Sequence, residues 1–108
     1  MLYHLTLPED WAAAQAAGRY AVSTRGRTLE DEGYIHCSFA DQVAATAARF
    51  YGDLAEVVLL HVDEAVLSSP VVVEDLVGAG HPFPHVYGPI DLAAVVTARR
   101  VDPNAMAI

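Results

Sequence analysis

The chain has 108 residues, 54% hydrophobic and 19% charged, with six arginines, no lysine and a formal net charge of −8. That length suits one domain with a substantial core, the composition excludes a disordered chain, and no apolar run approaches the roughly 18 residues of a membrane helix. An acidic surface repels phosphate backbones, so neither nucleic acid nor a membrane is an expected partner.

In chain order, Leu2 to Thr6 reads as a first strand. Pro8 opens a helix to Ala17, with Glu9 and Asp10 at its positive end and Gly18 as the stop. Arg19 to Glu32 is polar and irregular, with a short turn at Leu29 to Glu32. Gly33 introduces a second strand, Tyr34 to Cys37. Ser38 then caps a helix over 39–51, Asp41 stands three positions on as in a capping box, and Gly52 ends it. Val43, Ala47, Phe50 and Tyr51 give that helix an apolar face. Glu56 to Val62 is a buried central strand, Asp63 to Leu67 one helical turn, and Val71 to Glu74 a short strand. Val86 begins another strand, and Ala93 to Val101 is the last. The order implies one α+β domain with a small mixed or antiparallel sheet in two strand groups and two main helices.

His4-Leu5-Thr6, His36-Cys37-Ser38 and His85-Val86-Tyr87 repeat one pattern of histidine, apolar residue and hydroxyl residue. On a strand the histidine and the hydroxyl share a face, and the middle residue points to the other. Three such strands place His4, His36 and His85 around one concavity. Cys37, the only cysteine, then points inward as a buried thiol, forms no internal disulfide and suits a reducing, cytoplasmic setting. The chain opens without the regions of a secretory leader, which agrees. Glu74 ends an apolar strand, where a carboxylate can bind a sugar hydroxyl or face a developing positive charge. Tyr34, Phe83 and Tyr87 can stack on a flat ring. Arg19, Arg25 and Arg27 precede the second motif and can face a phosphate. Pro82 and Pro84 stiffen the segment from Phe83 to Tyr87, either to hold His85 and Tyr87 for a site or to block pairing at a sheet edge.

No metal is assigned. His81 and His85 are four apart, but the prolines between them forbid a helix, and extended chain separates them by roughly 13 Å. No HExxH or CxxC occurs; a metal, if one were bound, would fall first to His4, His36 and His85. Ser38 lacks the GxSxG turn of a hydrolase, and there is no GxGxxG loop or P-loop.

Leu2-Tyr3-His4, Trp11 with its alanine-rich helix, Gly33-Tyr34-Ile35-His36-Cys37-Ser38 with Gln42, Val57-Val58-Leu59-Leu60, Glu74 and Phe83-Pro84-His85-Val86-Tyr87-Gly88-Pro89 together resemble the DUF952 domain, an uncharacterised bacterial family. The family looks like a small member of the ADP-ribosyltransferase-like fold, with two short sheets flanking a nicotinamide-nucleotide cleft. The resemblance implies that His4 holds a ribose and that Tyr34 or His36 fills the next position. It gives Glu74 or His85 only a weak match to the late glutamate that supports an oxocarbenium-like transition state.

The expectation is a domain that binds an NAD-type or ADP-ribosyl ligand and catalyses glycosidic cleavage or ADP-ribosyl transfer. His36, Glu74 and His85 are the catalytic candidates; His4, Thr6, Tyr34, Ser38, Phe83 and Tyr87 are the binding candidates. NAD enters as a substrate, and no other cofactor is assigned. The alternative is a non-enzymatic ligand-sensing or protein-interaction module with the same cleft. The sequence leaves the oligomeric state, the acceptor and the pathway open.

Overall fold

The computed structural model describes residues 1–76 and 78–107. Strand β1 (Leu2–Thr6) leads into helix α1 (Pro8–Ala17), which has proline in its first turn and Glu9 and Asp10 at its N-terminal end. Gly18 stops it at φ 77°, a left-handed conformation, and its N–H donates to Ala14 O at 2.8 Å. A hairpin of β2 (Val22–Thr24) and β3 (Arg27–Thr28) follows, then the single turn α2 (Leu29–Glu32) with a Thr28–Asp31 capping box. Strand β4 (Ile35–His36), helix α3 (Val43–Tyr51), β5 (Val57–Val62), β6 (Val71–Glu74), β7 (Phe83–Val86) and β8 (Val95–Val101) complete the chain.

The longer sheet has the order β1-β5-β8, all antiparallel. Central β5 is buried on both faces, which is why its apolar run is continuous. One face carries Leu2, Val58, Leu60 and Val62 toward α1, Tyr20 and the smaller sheet. The other carries Leu5, Val57 and Leu59 against Val43, Ala47 and Tyr51 of α3.

The smaller sheet has the order β4-β7-β6, also antiparallel. Its inner face, Ile35, Cys37, Pro84 and Val86, is buried in the first core. The two sheets join at one backbone bridge: Tyr3 N–H donates to Ser38 O at 2.9 Å, and Ser38 N–H to Tyr3 O at 2.8 Å. Beyond that bridge the sheets diverge, and α3 covers one side of the gap.

The structure departs from the sequence-based expectations at several points. The stretch 19–32 contains a hairpin, whose short strands are held by pairing and by the buried Ser23 hydroxyl donating to Tyr34 O. Helix α3 starts at Val43, not at 39, because Ser38 is committed to the bridge with Tyr3. Gln42 takes over the opening turn, its side-chain oxygen accepting the Phe39 N–H at 2.9 Å. Val86 ends a strand rather than beginning one. The proline-rich β7 is the middle strand of its sheet, not an edge, and Pro84 O still accepts the Cys37 N–H at 3.1 Å. Regular pairing in β4 covers only Ile35–His36 of the expected 34–37, and β8 begins at Val95 after a 3₁₀ turn over Leu92–Ala94. No helix among the described residues is long and apolar enough to cross a membrane.

Gly88 closes the segment after β7. Its φ of 153° is unfavourable for other residues, and a Cβ there would overlap the Ser69 hydroxyl, which donates to Pro89 O at 2.8 Å. Gly88→Ala is therefore expected to destabilise the fold by roughly 2 kcal/mol. Thermal unfolding checks this, with an expected fall in Tm of about 10 °C. An unchanged Tm would show that the turn has slack.

Candidate functional site

The gap between the sheets forms a cleft of about 430 Å³. Its walls come from β1 (Tyr3, Leu5), from α3 (Thr46, Phe50, Tyr51) and from the outer face of the smaller sheet. On that face register does the placing. His36 and Val72 both stand opposite His85, and Glu74 stands opposite Phe83, so these side chains share one side. His4, His36 and His85 all border this one cleft, together with Ser38, Phe83 and Glu74.

Their hydrogen bonding gives the three histidines different tasks. His4 is buried, with Nδ1 at 2.5 Å from His36 O and Nε2 at 2.6 Å from the Tyr20 hydroxyl. A carbonyl only accepts, so Nδ1 carries the proton and Nε2 accepts from Tyr20. Both nitrogens are used, and burial pushes the His4 pKa down to about 4. His4 is thus a neutral strut at the junction, with no nitrogen to offer a ribose. Thr6 lies on the same core-facing side of β1, away from the cleft, and its buried hydroxyl has no hydrogen bond of good geometry among the described residues. That face was legible as polar; its direction was not, because either face of β1 packs against a layer.

His85 is also buried, but among the described residues only one of its nitrogens has a partner. Its Nδ1 lies 2.8 Å from Glu74 Oε2, and the Tyr87 hydroxyl donates to the same oxygen. These two donors, Tyr87 first, hold the Glu74 carboxyl below its ordinary range, and Glu74 pushes the Tyr87 phenol up to about 12. An ionised Glu74 accepts the Nδ1–H of His85, so in the neutral ring Nε2 is the lone-pair position. Glu74 Oε1 has no protein partner among the described residues.

Tyr34 stacks on the His85 ring at 4.3 Å with 24° between planes, and contacts His36 edge-on at 4.8 Å. Tyr34 and Tyr87 thereby stand behind His85 rather than lining the cleft, and of the three expected stacking residues only Phe83 does so. His36 is half-buried, with Nε2 3.4 Å from Glu32 Oε1; burial outweighs that bond and lowers its pKa. Cys37 is buried and its thiol is pushed up to about 12, so it is no nucleophile at neutral pH.

The expected arginine cluster does not converge. Among those three only Arg25 reaches the cleft; Arg27 pairs with Glu32 at 3.3 Å and Arg19 lies elsewhere. Phe50 and Leu76, both exposed, line the cleft and escaped sequence reading. Phe50 carried a helical signal, but for the core face of α3. Gln42 Nε2 donates to Pro82 O at 2.7 Å, tying the start of α3 to the strand that carries Phe83 and His85.

The buried His4 has a consequence for stability. The unfolded chain protonates this ring near pH 6.5, whereas the folded protein keeps it neutral down to about pH 4. Its contribution is fully present above pH 6.5 and is lost as pH falls toward 4, by about 3 kcal/mol. Urea unfolding between pH 7 and pH 4 should show this loss, and His4→Gln should flatten the curve. An equal slope in both proteins would contradict the assignment.

The sequence pattern described as "Protein of unknown function (DUF952)" matches residues 5–98. Among curated proteins none matches the chain. The X-ray crystal structure of protein CC0527 from Caulobacter crescentus is 33% identical, with TM-score 0.76 over 94% of this chain and 83% of that one. The crystal structure of a double mutant of CC0527 is similar at 32% identity and TM-score 0.76, again over 94% and 83% of the two chains. The solution NMR structure of CC0527 is similar at 33% identity and TM-score 0.72, over 94% and 82%. With the motif residues in the order and on the strands described above, the chain belongs to the DUF952 family.

Proposed function

We propose that the cleft binds an NAD-type ligand and cleaves the bond between the ribose C1′ and the pyridinium nitrogen. The observation that carries this reading is the Glu74–His85–Tyr87 cluster, a carboxylate and a histidine oriented by it at the wall of a largely apolar cleft. The likeness to the ADP-ribosyltransferase-like fold rests on the sequence motifs alone and agrees with this reaction.

The chemistry divides between the two residues. As the glycosidic bond breaks, its electron pair leaves with the ring nitrogen, so nicotinamide departs neutral and positive charge develops at C1′. The ionised Glu74, with Oε1 unpartnered, faces that charge. Water or another hydroxyl acceptor adds to C1′ and gives its proton to His85 Nε2. Phe83 and Tyr3 offer ring faces to the pyridinium, and His36 and Ser38 offer polar groups to the ribose hydroxyls.

Release of nicotinamide from NAD, followed by chromatography, tests the proposal. Glu74→Gln keeps an oxygen for His85 and Tyr87 yet removes the charge, and is expected to lower the rate about 10²- to 10³-fold. His85→Gln is expected to lower it about 10²-fold. Full activity in Glu74→Gln would sink the mechanism.

A second reading, a ligand-sensing module without turnover, is favoured by the full engagement of His4, which leaves the expected ribose-holding residue without a free nitrogen. It predicts stabilisation by ligand with no nicotinamide released.

A further inference from the structure

Among the described residues Arg25 is the one arginine that lines the cleft, and it is already paired. Its Nη1 and Nη2 donate to Asp53 Oδ1 and Oδ2 at 2.8 and 2.9 Å, and Nη1 also reaches Phe50 O at 3.2 Å. This is the bidentate geometry in which a guanidinium otherwise grips a phosphate. Among the described residues, Arg27 is paired with Glu32, and the Arg49 guanidinium lies over the Phe50 ring, 5.1 Å from its centroid, without itself lining the cleft. The remaining charge on the cleft wall is the carboxylate of Glu74, with Glu32 beside His36.

A ribose seated with C1′ at Glu74 keeps its 5′ substituent inside the cleft, a few bonds from the reacting carbon. Among the described residues that line the cleft a phosphate there meets no uncommitted cation, and seizing Arg25 would bring it against the Asp53 carboxylate. The pyridinium end suffers no such conflict, since a cation is favoured by Glu74 and by the ring face of Phe83.

We infer that, among pyridinium N-ribosides, the cleft prefers one lacking a 5′-phosphate over the mononucleotide and NAD, and that Asp53 sets this preference by occupying Arg25. The inference rests on the glycoside-cleavage reading and narrows it. Asp53 is a specificity-determining residue outside the catalytic cluster, acting through Arg25.

The test compares nicotinamide riboside, nicotinamide mononucleotide and NAD as substrates of the wild-type protein and Asp53→Asn, with nicotinamide release as the readout. In the wild type, kcat/KM for the riboside is expected to exceed that for either phosphorylated compound by about tenfold. Asp53→Asn removes the competing carboxylate from an exposed pair, so folding is little affected. It is expected to raise kcat/KM for the mononucleotide about fivefold and to leave the riboside within about twofold. Preference of the wild type for NAD, or no gain for the mononucleotide in Asp53→Asn, would overturn the inference while leaving glycoside cleavage standing. Release from none of the three would overturn the cleavage reading instead. Calorimetric titration with the same compounds then decides the charge preference: tighter riboside binding sustains it, and tighter NAD binding, or binding of none, overturns it.

Discussion

Two backbone hydrogen bonds between Tyr3 and Ser38 hold the architecture of this domain in place. They fasten the smaller sheet to the open edge of β1 at one residue pair, after which the strands diverge. A continuous sheet would have filled the space with pairing, and separate sheets would have left no common floor. The single bridge leaves a gap that α3 roofs on one side, and that gap is the cleft. His4 reinforces the joint from below, since its Nδ1 holds the carbonyl of His36 while Tyr20 satisfies the other nitrogen. Neutrality of that ring is a structural requirement, because a charged imidazole at this depth has no compensating carboxylate among its partners.

The same joint explains why similar motifs perform different work. On β1 the histidine and the hydroxyl turn into the core beneath the bridge. Along the segments of β4 and β7, His36, Ser38 and His85 border the cleft, because Ile35, Cys37 and Val86 take the buried side. His85 is then locked three ways: by Glu74 at Nδ1, by the Tyr34 ring stacked on it, and by the strand register across from His36 and Val72. A ring so constrained loses little entropy when a ligand arrives, which is what a preorganised site requires.

Much of this was legible from residue order. The first strand, the helix from Pro8 to Ala17 stopped by Gly18, the apolar β5 and the shared faces of His36 with Ser38 and of His85 with Tyr87 follow from periodicity and capping chemistry. What escaped depends on partners distant in sequence. Ser38 has the right chemistry for a helix cap, but a strand 35 positions earlier claims its backbone. Arg25 reads as a phosphate ligand until Asp53, far along the chain, is seen to hold it. The prolines flanking Phe83 suggest an edge, yet β6 and β4 pair on either side. Glu74 stood out as a strand-end carboxylate and a catalytic candidate; its bonds to His85 and Tyr87 arise from cross-strand register that local pattern does not specify.

The tautomer of His85 decides what the Glu74–His85–Tyr87 cluster can do. Glu74 accepts from Nδ1, so Nε2 is the lone-pair nitrogen at the cleft wall. Nitrogen-15 NMR of the histidine side chains at neutral pH observes this directly, with His85→Gln supplying the assignment. The prediction is a proton on Nδ1 and a pyridine-like Nε2, with the Nδ1 proton signal altered in Glu74→Gln. A neutral His85 protonated at Nε2, indifferent to Glu74→Gln, would contradict the role assigned to the cluster.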